Sequence, residues 1–227
     1  MTQGRATRDR RPHGKKYLPW SRYADLVEVL DRRVSDGTWQ QQRDALAVTL
    51  GLHGLRVTEV CNLVIDDLDK ADRTIYVATL KDGRDRVVGL GRGVCEAIVR
   101  WRAGSDAKPL LFNVLGRSLS SNHLRLAFKA VWREVSPDEY RHGKQSPYHF
   151  HSLRHTFAMR TLHQCGNPTL VAGRIGHRNT KTTDEYVMAY GQLSDEQIKE
   201  IGRDIHVVPA LVDDAAGGRG YLRLFAG

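Results

Sequence analysis

Apolar residues recur at helical spacing along most of this chain and give way to alternation in one short stretch. From Pro19 to Arg33, the residues Trp20, Tyr23, Leu26, Val27 and Leu30 fall three and four apart, which predicts an amphipathic helix. A second helix is predicted from about Gln40 to Leu52. Gly54 separates it from a short third helix holding Arg56, Thr58, Glu59, Val60 and Leu63. Between Val64 and Leu90 the pattern changes. Thr74-Ile75-Tyr76-Val77 and Arg86-Val87-Val88 are β-prone and flank the polar, glycine-containing turn Lys81-Asp82-Gly83-Arg84, which predicts a small antiparallel sheet. Helical patterns resume at about 92–103, 119–135, 150–165, 168–175, 180–190 and 194–203. Gly166-Asn167-Pro168 is a stop-and-restart signal, and Thr180 and Ser194 suit N-cap positions.

Composition refines this outline at the two ends. Residues 1–16 carry Arg5, Arg8, Arg10, Arg11, Lys15 and Lys16 against the single acid Asp9, with almost nothing apolar to bury. They read as a flexible basic arm, either a contact for an anionic partner or a solubilising tail. Residues 17–206 read as one main domain, and 207–227 as a mixed tail ending in the apolar stretch Tyr221 to Phe225. Over all 227 residues, 35 Lys and Arg outnumber 26 Asp and Glu, a net charge of +9 that favours an anionic partner such as nucleic acid. Cys61, Cys95 and Cys165 are odd in number, far apart and without C-x-x-C spacing, so neither a disulfide framework nor a zinc ribbon is suggested. A reducing compartment follows. Without an apolar leader or a membrane-length apolar run, a soluble, cytoplasmic protein is expected.

The chemistry concentrates near the C-terminus. His151, Arg154, His177 and Tyr186 stand in the order H-x-x-R, G-H, Y. Two imidazoles, a guanidinium and a phenol are what a protein would collect to attack a phosphodiester without a metal. On a helix, His151 and Arg154 are three apart and share a face. His151 and His155 also have the H-x-x-x-H spacing of zinc proteases, but Ser152 stands where those carry a catalytic Glu, and no third ligand is evident. His155 is better read as a helix residue hydrogen-bonded within the core. A phenol of pKa about 10 is only about one part in a thousand ionised at neutral pH, so Tyr186 needs cationic neighbours or a base to act as a nucleophile. Forked guanidiniums match the developing charge of a phosphodiester better than ammoniums, which calls for a second arginine upstream. Arg56 in L-H-G-L-R-V-T-E-V fits, with Glu59 able to hold it or a neighbour in orientation. The departing oxygen needs a proton, and Lys81 on the β-turn can supply it, with Arg84 and Arg86 nearby.

That set, in this order, resembles the tyrosine recombinase, or phage integrase, family. The matching stretches are G-L-R-V-T-E-V at 54–60, L-K-D-G-R-D-R-V-V at 80–88, H-S-L-R-H-T-F-A at 151–158, I-G-H at 175–177 and T-T-D-E-Y-V at 182–187. The resemblance spans about residues 17 to 190 and implies a catalytic domain that is mainly α with a small three-stranded antiparallel β-sheet (α+β). It implies that Arg56 and Arg154 clamp the scissile phosphate, His177 adds a hydrogen bond, His151 is the general base, Lys81 the general acid, and Glu59 supports the site from behind. Tyr186 would attack to form a 3′-phosphotyrosyl link and free a 5′-hydroxyl. The link conserves the bond energy, so no metal, ATP or other cofactor is implied.

The implied partners are double-stranded DNA, three further copies in a homotetramer and accessory DNA-bending proteins. Tyr221 to Phe225 is either a segment exchanged between subunits or a tail packed on its own domain. Two departures stand out. Only about 50 residues precede Arg56, too few for the family's usual N-terminal core-binding domain. This implies either a natural short form, like the fimbrial invertases, or a catalytic fragment. The turn lacks the common G-K-G and ends V-G-L where V-P-L is usual. Rival readings are a type IB topoisomerase-like relaxing activity and a catalytically silent DNA-binding accessory protein.

Overall fold

The computed structural model describes residues 17–78, 84–143, 146–176 and 181–194, with 196 and 198 beyond them. The predicted arm at 1–16, the tail at 207–227, Lys81 and His177 lie outside the described residues. The chain enters through a 3-10 turn, Trp20–Arg22, into helix α1 (Tyr23–Asp36). Helix α2 (Trp39–Leu52) begins at a reciprocal cap: the Thr38 hydroxyl accepts from the Gln41 amide, and the Gln41 side chain accepts from the Thr38 amide. From Ala45 to Leu52 every residue of α2 is buried, so this helix forms the centre of the molecule, against α1 and the later helices.

Helix α3 (Val57–Asn62) is shorter than the sequence reading, because Arg56 is its extended N-cap and Leu63 its C-cap rather than helical residues. Strands β1 (Leu68–Asp69), β2 (Thr74–Val77) and β3 (Arg86–Gly89) form the antiparallel sheet in the order β1-β2-β3. Alternation fixes its faces. Ile75 and Val77 point inward with their cross-strand partners Val88 and Arg86, while Tyr76 and Val87 face out. An arginine is thereby carried into the interior beside Val77.

Helices α4 (Arg92–Trp101), α5 (Ser121–Val135), α6 (Phe150–Cys165), α7 (Pro168–Ile175) and α8 (Lys181–Gly191) complete the described fold. The junction of α6 and α7 is built as Gly166-Asn167-Pro168 suggests. Gly166 takes the left-handed conformation that ends α6, Asn167 Oδ1 accepts from the amides of Thr169 and Leu170, and Pro168 opens α7.

The buried apolar side chains form two clusters. The larger joins α1 to α5 with the sheet and ends on Phe150 and Leu153 of α6. The smaller contains Trp20, Ala158, Met159 and Leu162 of α6, Val171 and Ile175 of α7, and Tyr186 of α8. Helix α6 is common to both. Its approach to α2 needs Gly51, where an added Cβ would lie 2.7 Å from Leu153 Cδ1.

Candidate active site

Three arginines, from the start of α3, from β3 and from α6, meet around the carboxylate of Glu59. Glu59, in the first turn of α3, reaches back to accept a hydrogen bond from the Arg56 amide at 2.7 Å. Its other oxygen accepts from Arg56 Nη1 at 2.8 Å, and Arg86 of β3 grips both oxygens, Nη1 to Oε1 at 3.0 Å and Nη2 to Oε2 at 2.8 Å. Arg154 of α6 stands 3.9 Å from Glu59 Oε2. Glu59 is nearly inaccessible to solvent, and burial pushes its pKa up. The hydrogen bonds and charge of Arg86, the Arg56 amide and the charge of Arg154 outweigh burial and lower it to about 2. The carboxylate is therefore ionised at neutral pH, and these four residues carry three positive charges against one negative. Such a surplus is an anion-binding arrangement.

Two left-handed glycines aim backbone carbonyls at Arg154. Gly54 has φ +86° and its carbonyl accepts from Arg154 Nη1 at 2.6 Å and from Arg86 Nη2 at 3.4 Å. An added Cβ at Gly54 would lie 2.7 Å from Phe157 Cδ1. Gly176 has φ +68°, and the carbonyl just before it, of Ile175, accepts from Arg154 Nη2. An added Cβ at Gly176 would lie 3.0 Å from both the Arg84 carbonyl and Arg86 Nη1, so this glycine lets the end of α7 close onto β3. Arg154 is 1 % exposed and Arg56 more than a quarter exposed by its side chain, so the site presents Arg56 outward and holds Arg154 beneath it. Burial first, then the charges of Arg56 and Arg86, lower the pKa of Arg154 to about 9, and it stays cationic at pH 7.

Three imidazoles line the start of α6. His149 is its N-cap, and His151 stacks near it with ring centroids 6.4 Å apart. His151 also meets His155 edge-on at 4.6 Å. Desolvation, followed by the charges of Arg154, His149 and Arg56, lowers the pKa of His151 to about 4. Its ring is neutral at pH 7, although the residue is exposed at the surface of the site. His155 Nδ1 lies 2.9 Å from the hydroxyl of Tyr186, which is buried at 6 % exposure in the smaller cluster. The reading of His155 as an ordinary core histidine is thus amended: it is half-buried and hydrogen-bonded, and its partner is the phenol the sequence singles out. Among the described residues no three His, Cys, Asp or Glu side chains converge as metal ligands.

The structure thus brings together Arg56, Glu59, Arg154, His151 and Tyr186. Two participants were not assigned from sequence. Arg86 stood among the spare cations of the turn, yet both terminal nitrogens of its guanidinium are engaged with Glu59 and Gly54. The signal was its alternation with Val88, which puts both on the inward face. For His155 the signal was adjacency to Arg154 at one-turn spacing from His151.

Among the described residues no helix is long and apolar enough to cross a membrane. The chain is 28% identical over 214 residues to the tyrosine recombinase XerC of Halalkalibacterium halodurans, a match covering 86% of this chain and 65% of that one. To a tyrosine recombinase of Pseudothermotoga lettingae it is 27% identical over 171 residues, covering 75% and 58%. The chain thus spans about two-thirds or less of these curated relatives. Its fold is similar to that of the XerA recombinase, with a TM-score of 0.63 at 24% identity over 88% of this chain and 67% of that one. It is also similar to XerH bound to its palindromic difH substrate in a post-cleavage complex, with a TM-score of 0.65 at 20% identity over 84% and 53%. The phage integrase family matches residues 20–192, the span that holds both clusters and the arginine–carboxylate centre, and the chain belongs to that family.

Proposed function

We propose that this chain is the catalytic unit of a site-specific DNA recombinase, which breaks and rejoins duplex DNA through a 3′-phosphotyrosyl link on Tyr186 with neither metal nor ATP. The observation that carries the reading is the surplus of guanidinium around Glu59, joined through α6 to the hydroxyl of Tyr186. Arg56 and Arg154 hold the non-bridging oxygens of the scissile phosphate, with His177 adding a hydrogen bond. Glu59 keeps the arginines oriented. An imidazole of α6, read from the sequence as His151, takes the proton of the phenol. The tyrosine oxygen bonds to phosphorus, the bond from phosphorus to the 5′ oxygen breaks, and Lys81 protonates the departing oxygen. A 5′-hydroxyl of a second strand reverses these events and completes the exchange. The DNA bound by XerH is the class of substrate we assign.

Residues 17–206 make up this unit. Residues 1–16 add basic charge toward DNA, and 207–227 supply a segment exchanged between the copies of a homotetramer, with accessory proteins bending the DNA. The three thiols and the metal-free chemistry suit the cytoplasm. A nicked suicide substrate, whose released 5′ fragment diffuses away, tests the proposal. The wild-type chain is expected to accumulate a covalent protein–DNA adduct, and Tyr186→Phe and Arg154→Ala to lose it. An adduct that survives Tyr186→Phe overturns the mechanism.

A further inference from the structure

An ionised carboxylate offers about four lone-pair sites, two on each oxygen. Glu59 fills them all within the protein. Oε1 accepts from Arg56 Nη1 at 2.8 Å and from Arg86 Nη1 at 3.0 Å. Oε2 accepts from the Arg56 amide at 2.7 Å and from Arg86 Nη2 at 2.8 Å. Arg154 Nη1 stands 3.9 Å from Oε2, beyond hydrogen-bonding distance, and donates instead to the Gly54 carbonyl at 2.6 Å. Its Nη2 donates to the Ile175 carbonyl, so Arg154 is held by neutral acceptors and its charge is not cancelled by a bonded carboxylate. Arg86 alone of the three guanidiniums grips both carboxylate oxygens, the geometry in which a cation and a carboxylate neutralise one another most completely.

We propose that Arg86 is a positioning residue, which fills two of the four sites on Glu59 and balances its charge so that Arg56 and Arg154 stay available to the scissile phosphate. This deepens the recombinase reading and rests on it. Without Arg86, two acceptor sites of a carboxylate that is only 3 % exposed are left bare, a condition costly enough to draw in the nearest donor. That donor is Arg154 Nη1, which a shift of about 1 Å brings into bonding distance of Oε2. The shift takes the guanidinium off the Gly54 carbonyl, and the charge of Glu59, no longer offset by Arg86, is offset by the two arginines of the clamp. The proton transfers of the reaction are untouched. What is lost is the place and the charge of the groups that hold the phosphate.

The test measures single-turnover adduct formation by the full chain on the suicide substrate, beside its affinity for duplex DNA. Arg86→Met removes the cation and keeps an unbranched stem. It is expected to form adduct about 10²-fold more slowly than wild type, the scale of a displacement of about 1 Å at a reacting centre, while binding duplex within about threefold of wild type. The distinguishing readout comes from a second substitution. In the wild-type background Glu59→Gln slows the reaction, because Arg56 loses its anionic partner. In the Arg86→Met background the same Glu59→Gln is expected to speed it by about tenfold, because a neutral amide no longer captures Arg154. A residue that only held the fold together would show the reverse, two lesions that compound. Adduct formation by Arg86→Met within about threefold of wild type, or a double variant no faster than Arg86→Met, overturns the proposal.

Arg86→Gln supplies the same comparison in a milder form, since its amide can donate to Glu59 without carrying a charge. It is expected to react about tenfold more slowly than wild type and to gain speed when combined with Glu59→Gln, where two neutral amides face one another. A combined variant that is no faster overturns the proposal even where Arg86→Met fails to fold. A wild-type chain that forms no adduct removes the recombinase reading, whereas an active wild type matched in rate by Arg86→Met removes only the role of Arg86.

Discussion

Glu59 is the residue on which the arginines of the site depend, and its protonation sets how the site responds to acid. Its pKa is about 2 in the folded chain against an ordinary 4.5. A depressed carboxyl pKa contributes stability that is fully present above the unfolded value and is lost as pH falls from about 4.5 toward 2. The size is on the order of 3 kcal/mol, since each pKa unit corresponds to about 1.4 kcal/mol. Glu59→Gln should therefore be less stable than wild type by about that amount at pH 7, and the gap should narrow as pH is lowered through this window. Denaturant unfolding at pH 7 and near pH 3 measures it, and a gap unchanged by pH would refute the account. The pairing of Arg56 with Glu59 was legible in the sequence, because both lie in one motif at one-turn spacing. The grip of Arg86 was not, because it arrives from a strand 27 residues on, and spacing alone cannot rank it against Lys81 and Arg84. His155 was visible as a helix residue, but its partner is 31 positions away on another helix.

The helices were legible because their apolar periods are long and their ends are marked. Asn167 shows how much one end can carry. Its side chain satisfies two amides at the start of α7, a helix of eight residues whose last carbonyl holds Arg154. Asn167→Ala is expected to cost about 1 kcal/mol of stability in a thermal or denaturant melt. An unchanged melting temperature would mean that packing against α6 alone sets α7. The strands were legible where four residues alternate, at β2 and β3. Strand β1 was not located, because Leu68–Asp69 is too short to display a period and exists only through its pairing with Ile75 and Thr74. The start of α3 was misjudged by one residue for a related reason: Arg56 carries a helix-compatible side chain, but Glu59 binds its amide as a cap.

At the scale of the molecule, the mainly α class with a small sheet followed from patterning, and the family from motif order. The division of the interior into two clusters followed from neither, since apolar residues of both recur at the same spacing along one helix. That division has a consequence for how the protein holds itself together. Cooperative opening tends to follow packed units, each with its own free energy. The larger cluster contains the buried stretch from Ala45 to Leu52 of α2, whereas the smaller rests on one turn-and-a-half of α6 and the short helices α7 and α8. Amide hydrogen exchange should therefore be slowest in α2 and markedly faster in α7 and α8, and equal protection in all three would contradict this. If the smaller unit opens first, the molecule loses the Ile175 carbonyl from Arg154 and the Tyr186 hydroxyl from His155 together, while Arg56, Glu59 and Arg86 stay assembled. Under the proposed function, a chain in that state would keep its affinity for a phosphate and lose its means of cutting beside it, so grip and scission would melt at different temperatures.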